Sequence, residues 1–182
     1  MLIARTFSIQ KLERAYNYSA LFVAIGIAIA VYPVFMYGSN LHRQRLQSRA
    51  PAWDGYYTRA FLPERELRFN KRSHKYIVAA NIVPHPTRRV WGIVVHLNAE
   101  DLQAMDGYEG CPTHYNRIWV SPRLEGGAIA KTYTYQAHPE MLLEGKSPTP
   151  NYLGYVLEGA HCCGLPDDYI SAIADLSRLR PS

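Results

Sequence analysis

Cysteine is scarce in this chain: three in 182 residues, Cys111, Cys162 and Cys163, an odd number with two of them adjacent. That excludes a disulfide framework and favours a reducing, cytoplasmic compartment. His161-Cys162-Cys163 also lacks the second spaced pair that a tetrahedral zinc site needs, so no metal is expected. Charge is sparse as well, at 19% of residues with a net of +5. The basic residues are spread out, with local clusters at Arg43, Arg45, Arg49 and at Arg65, Arg68, Lys71, Arg72. There is no basic helix and no RNA-binding aromatic signature, so the charge reads as solvated surface or as attraction for an acidic small substrate, and no nucleic acid is expected. Internal repeats and low-complexity segments are absent.

The one long apolar run, uncharged from Ala20 to Met36, is 17 residues and contains Gly26 and Pro33. It stands at the lower limit for spanning a bilayer. Its last residues are needed for a first strand, which leaves about twelve, Ala20 to Val31, behind the positive flank of Arg5, Lys11 and Arg14. A stretch of that length reads as a membrane anchor, as a cleaved signal with Ala28-Ile29-Ala30 as its small-x-small site, as a buried helix, or as an over-long start. The expected division is a hydrophobic N-terminal extension over residues 1–30, which would tether the protein to a membrane if it is an anchor, and one domain over residues 31–182.

What the chain does have is 48% hydrophobic residues, enough for a sizeable core, with fourteen tyrosines and twelve prolines. Val34-Phe35-Met36 reads as a strand and Leu41 to Ser48 as a short helix ended before Pro51. Trp53 to Leu62 and Glu66 to Asn70 read as strands parted by a turn at Pro63, and Tyr76 to Val83 and Val90 to Leu97 as two more parted by a loop over Pro84 to Arg89. Asn98-Ala99-Glu100-Asp101 opens a capped helix ending at Gly107. Tyr115 to Pro122 and Ala128 to Gln136 form a hairpin around Gly126-Gly127. Pro150 to Cys163, stopped by Gly164, and Asp167 to Leu179 are helical. Several strands with few crossover helices predict an α+β fold: a small mixed sheet curled toward a β-barrel, with flanking helices.

Two stretches could carry chemistry. At Tyr37-Gly38-Ser39-Asn40-Leu41 an apolar strand breaks at a glycine and runs into a helix, which leaves backbone N–H groups unpaired and aimed one way. On its own this is equally an ordinary turn capped by Ser39 or Asn40. In Asp106-Gly107-Tyr108-Glu109-Gly110 a carboxylate falls just past a helix C-terminus, the unfavourable end of the macrodipole. Local rules tend to be broken at functional sites, and partial burial between glycines and tyrosines would suit Glu109 to proton transfer. Taken alone, Glu109 is equally a solvated loop residue.

In order and spacing, Tyr37 to Leu41, Val90-Trp91-Gly92, Tyr108-Glu109-Gly110 followed by Tyr115-Asn116-Arg117, Pro150-Asn151-Tyr152, and Gly159-Ala160 with Gly164-Leu165-Pro166 together resemble the gamma-glutamylcyclotransferase-like family. The resemblance runs from about Val34 to the last helix. Its Ser-Asn turn looks like the general branch; the glutathione-specific branch usually has Ser-Leu there. The resemblance implies Glu109 as the acid/base, the backbone of Tyr37, Gly38, Ser39, Asn40 and Leu41 as a substrate cradle, and Tyr115 and Tyr152 as pocket tyrosines. Trp91 reads as core.

The implied chemistry is self-consistent. In a gamma-glutamyl amide the α-amine can reach its own γ-carbonyl and close a five-membered lactam, so much of the orientation entropy is already met. The amine needs a base, the tetrahedral intermediate an oxyanion site, and the leaving amine a proton. One carboxylate and a set of N–H groups supply these, with no covalent nucleophile, metal or cofactor. No His and Asp are placed to activate Ser39. The expected activity is conversion of a gamma-glutamyl amine or amino acid to 5-oxoproline. The alternatives are gamma-glutamyl protecting-group removal in biosynthesis, a non-catalytic small-molecule binding module of the same fold, and a membrane-associated interaction protein.

Overall fold

A computed structural model describes residues 30–176. Nearly all of the expected N-terminal extension, and the end of the last expected helix at Leu179, lie outside the described residues. Among the described residues no helix is long and apolar enough to cross a membrane.

The first strand, β1 (Tyr32–Met36), sits in the interior of a six-stranded sheet. It pairs antiparallel with β3 (Ile77–Leu97) from Tyr32↔Leu97 to Met36↔Ile93, and parallel with β6 (Thr132–Ala137) at Val34↔Tyr133. Both of its faces are covered, which is why its sequence reads as an unbroken apolar run. Val34 and Met36 enter a core with Leu46, Val95 and Met105, while Phe35 and Tyr37 enter a second core with Val78, Ile82 and Val156.

β2 (Thr58–Ser73) and β3 make one long hairpin, paired from Thr58↔Val94 to Ser73↔Ile77 with register shifts between Pro63 and Arg65 and between Phe69 and Lys71. The expected turn at Pro63 and loop at Pro84 to Arg89 are together one irregularity within it. Pairing stops at Pro63↔Arg89 and resumes at Arg65↔Pro84, so residues 85–88 stand opposite Glu64, which takes a left-handed φ of 56°. Prolines cannot donate to a ladder, and the pairs on either side re-establish the sheet.

The strand order is β4-β6-β1-β3-β2-β5, with β4 at Tyr115–Val120 and β5 at Arg123–Leu124. The expected barrel does not close: β4 and β5 are the two edges of an open sheet. β5 is two residues long, pairs with Ala60 and Phe61 of β2, and on its other side Arg123 bridges Ile129, so it does not pair with β4. β4 and β6 do pair antiparallel, as the hairpin expectation required, but the Gly126-Gly127 turn closes on Leu124 and Ala128 after β5 and does not join the two strands directly.

Among the described residues four α-helices flank the sheet: α1 (Arg43–Arg49), α2 (Ala99–Glu109), α3 (Pro150–Cys162) and α4 (Asp167–Leu176). Asn98 caps α2 by accepting from the Asp101 N–H at 2.7 Å. The helix overruns its expected stop at Gly107 because Gly110, at φ 64°, supplies the left-handed C-terminal residue that satisfies the Asp106 and Gly107 carbonyls. Glu109 is therefore the last residue of α2 and not a loop residue beyond it. α3 begins at Thr149, whose hydroxyl accepts from the Tyr152 N–H, with Pro150 in the first turn.

Candidate active site

β1 delivers the chain to the glycine turn. Tyr37 is buried and its hydroxyl donates to the Tyr135 carbonyl of β6, which fixes the strand end. Ser39–Leu41 then form a single 3-10 turn in which Leu41 N–H bonds the Gly38 carbonyl at 2.9 Å and His42 N–H bonds that of Ser39 at 3.3 Å. His42, with ψ 113°, breaks the helical path, and α1 starts afresh with His42 Nδ1 accepting from the Arg45 N–H. The expected single helix from Leu41 is thus two pieces, and of the expected free amides that of Leu41 is used internally. The Ser39 and Asn40 N–H groups have no acceptor among the described residues. Leu41 does not face the pocket: its side chain is core, packed under α3. Gly159 of α3 permits that packing, since a Cβ there would stand 2.4 Å from the backbone of Leu41 and His42.

Glu109 arrives from the end of α2 and meets the turn. Its Oε1 accepts from Asn40 Nδ2 at 2.9 Å and from Arg49 Nη1 at 3.2 Å, and Arg49 Nη1 also donates to Asn40 Oδ1 at 2.8 Å. Side-chain exposure is 13% for Arg49 and 15% for Glu109, so the pair is largely screened from water. Burial pulls the Arg49 guanidinium below its ordinary value, and the Glu109 charge opposes that shift. Arg49 also answers the poor placement of a carboxylate against the last carbonyls of α2. Oε2 of Glu109 has no partner among the described residues.

Two tyrosines close the site by gripping one residue of β3. Tyr115 donates to the Ala80 carbonyl at 2.6 Å and Tyr152 accepts from the Ala80 N–H at 2.9 Å. Both phenols are buried, which raises them above their ordinary value and keeps them neutral. Tyr152→Phe leaves the Ala80 N–H without its acceptor; a loss of about 1–3 kcal/mol is expected, read as a lower urea midpoint at unchanged slope.

Tyr37, Gly38, Ser39, Asn40, Glu109, Tyr115 and Tyr152 thus line one narrow pocket of about 40 Å³, with Tyr135 as a further wall. Ser39, Glu109, Tyr115 and Tyr152 also belong to a wider outer pocket of about 350 Å³. Arg49 and Tyr135 were not singled out as site residues from the sequence. Arg49 was legible in part, being in a basic cluster four residues after Arg45 on the helix that leaves the turn; Tyr135 looks like any strand tyrosine. Behind the site Tyr135 donates to Asp106 at 2.7 Å, and Arg117 holds the other oxygen of Asp106 at 2.6 Å.

Ser39 Oγ accepts from Arg45 Nε at 3.1 Å, and no histidine bonds it among the described residues. The adjacent His42 is committed to its cap and to Glu158. No group of three metal-ligating side chains converges among the described residues. A cavity of about 460 Å³ lies elsewhere, between Phe61, Trp91, Leu124 and Pro166; its one carboxylate, Glu125, is paired with Arg59. Trp91, expected in the core, is half-buried on its wall.

This arrangement can be set beside known proteins. The AIG2-like family model matches residues 89–173. Gamma-glutamylcyclotransferase from Bos taurus is 30% identical over 141 residues, covering 74% of this chain and 73% of the relative, and the Homo sapiens protein gives the same figures. The chain belongs to the gamma-glutamylcyclotransferase family of enzymes. A solved gamma-glutamyl cyclotransferase superposes with a TM-score of 0.72 at 26% identity, over 80% of this chain and 87% of that one. A glutathione-specific gamma-glutamyl cyclotransferase from yeast, 13% identical with a TM-score of 0.63 over 82% and 96% of the two chains, shares the fold.

Proposed function

We propose that the protein cyclises a gamma-glutamyl amine or amino acid to 5-oxoproline and releases the amine, with Glu109 as general base and then general acid. The observation that carries this reading is the seating of Glu109: Oε1 is held by Asn40 of the turn and by Arg49, and Oε2 is left without a partner on a residue that lines the same pocket as the turn.

The substrate's glutamyl half would occupy the narrow pocket. Glu109 Oε2 takes a proton from the α-ammonium, and the freed nitrogen attacks the γ-carbon. The new C–N bond forms as the carbonyl π pair moves to oxygen, and the Ser39 and Asn40 N–H groups stabilise that oxyanion. Collapse breaks the original amide bond while Glu109 protonates the leaving nitrogen. In balance the glutamyl nitrogen loses two protons and the leaving nitrogen gains two, so the amine departs as an ammonium ion. Tyr37, Tyr115 and Tyr152 keep the pocket dry and shaped. The ring closure is intramolecular, so the main tasks are proton traffic and charge stabilisation.

The test is a panel of gamma-glutamyl amino acids, peptides and alkylamines followed by chromatography for 5-oxoproline. Product from at least one member is expected. Silence across the panel, from a protein with a cooperative melting transition, would overturn the reading.

A further inference from the structure

Lys71 of β2 is 7% exposed, yet no carboxylate lies within ion-pair distance of it among the described residues. Its Nζ stands 3.0 Å from His114 Nδ1 and 5.0 Å from the centre of the Tyr115 ring. Neither partner carries negative charge. The Lys71 charge in turn lowers His114 below its ordinary value, which keeps that ring neutral and accepting at Nδ1. A buried cation with only neutral partners is costly unless an anion joins it.

The place where that anion would enter is visible. Lys71 lines the outer pocket of about 350 Å³, whose only acidic wall is Glu109, already neutralised by Arg49. Arg45, on the same pocket, spends its donors on Ser39 Oγ and the Tyr76 hydroxyl and lies against the Tyr76 and Tyr155 rings. Lys71 is the cation facing this pocket whose single hydrogen bond goes to a neutral ring nitrogen. The pocket shares Glu109, Tyr115 and Tyr152 with the narrow one, so a leaving group attached to a glutamyl unit in the narrow pocket emerges toward it.

We propose that Lys71 is a specificity-determining residue that pairs with a carboxylate on the leaving amine, so that gamma-glutamyl amino acids or peptides are preferred to neutral gamma-glutamyl amines. This rests on the reading of Glu109 and the turn as the cyclising centre, because that reading places the leaving half in the outer pocket. Burial holds the Lys71 ammonium below its ordinary value, with the Glu109 charge only partly opposing this, as suits a group awaiting a counter-ion.

The test compares gamma-glutamylalanine with gamma-glutamylalaninamide, which differ only in carboxylate against neutral amide. In the wild-type protein the kcat/KM ratio of the two is expected to be about 10 to 100, the size of a charge-assisted hydrogen bond. In Lys71→Gln it should fall to within about threefold of unity, and Lys71→Arg should keep it well above that. Binding of both ligands to the Glu109→Gln protein, with and without Lys71→Gln, is measured in parallel by calorimetry. A carboxylate preference that depends on Lys71 in binding, without turnover of either ligand or of any panel member by the wild type, supports the Lys71 assignment and sinks the cyclising reading. Turnover with no preference, or a preference untouched by Lys71→Gln, overturns the assignment and leaves the cyclising reading standing. Binding of neither ligand overturns the Lys71 assignment, and with a silent panel it overturns both.

Discussion

Glu109→Gln should abolish nearly all 5-oxoproline formation while leaving the fold in place. The amide keeps an oxygen where Oε1 stands, so Asn40 and Arg49 retain their acceptor at 2.9 and 3.2 Å. What disappears is the ability to take a proton from the ammonium and return it to the leaving nitrogen. General acid–base groups contribute roughly 10²- to 10⁴-fold, and here one carboxylate serves both transfers, so a fall in kcat toward the upper end of that range is expected. Steady-state kinetics on whichever panel member turns over best, alongside a melting curve, separates the two effects. A variant that kept more than about a tenth of the wild-type rate would remove Glu109 from the chemistry.

The second large effect is expected far from any proton. Gly159→Ala adds a Cβ that would stand 2.4 Å from both the Leu41 carbonyl carbon and the His42 nitrogen, and backbone on that side cannot swing away as a side-chain tip can. A loss of roughly 3 kcal/mol, at the upper end for overpacking, is expected. In a domain of this size that is a fall in melting temperature of roughly 6–12 °C. If the strain is relieved by moving the turn, kcat falls too, since a displacement of about 1 Å at a positioning element can cost about a hundredfold. Gly154→Ala on the same helix is the control: a Cβ there meets nothing within 4 Å, so the better helix propensity of alanine should leave stability equal or raise it by up to about 1 kcal/mol. Equal melting temperatures for the two variants would show that Gly159 does not set the turn.

The sequence carried the site's members better than its wiring. The strand at Val34 to Met36, the glycine break after it and the helix opening at Pro150 all follow from local chemistry: apolar continuity, a residue free of Cβ, a capped first turn. The contact of Glu109 with Asn40 joins residues sixty-nine positions apart, and no local signal encodes which oxygen is held. Arg49 was visible only as one member of a basic cluster. Where the reading failed it did so by obeying local rules too literally. Gly107 looked like a helix stop, but a glycine three residues later, at φ 64°, offered the better terminus. Pro63 and Pro84 looked like breaks, but the pairs flanking them carry the hairpin across the interruption. The barrel failed at β5, whose two residues pair with β2 and with Ile129 and not with β4.

The position of β1 has a consequence for which parts of the reaction can vary. With β3 on one side, β6 on the other and a core on each face, the strand end that carries the turn has no direction in which to drift. The outer pocket is built differently, from the far end of the β2–β3 hairpin, the last turn of α2 and the exposed side of α1. Substitutions there can change what is accepted without moving the ring-closing atoms. On the proposed reading a fixed reaction frame is separate from an adjustable selector, and exchanging hairpin residues 71–76 is expected to change the leaving-group preference at an unaltered catalytic step.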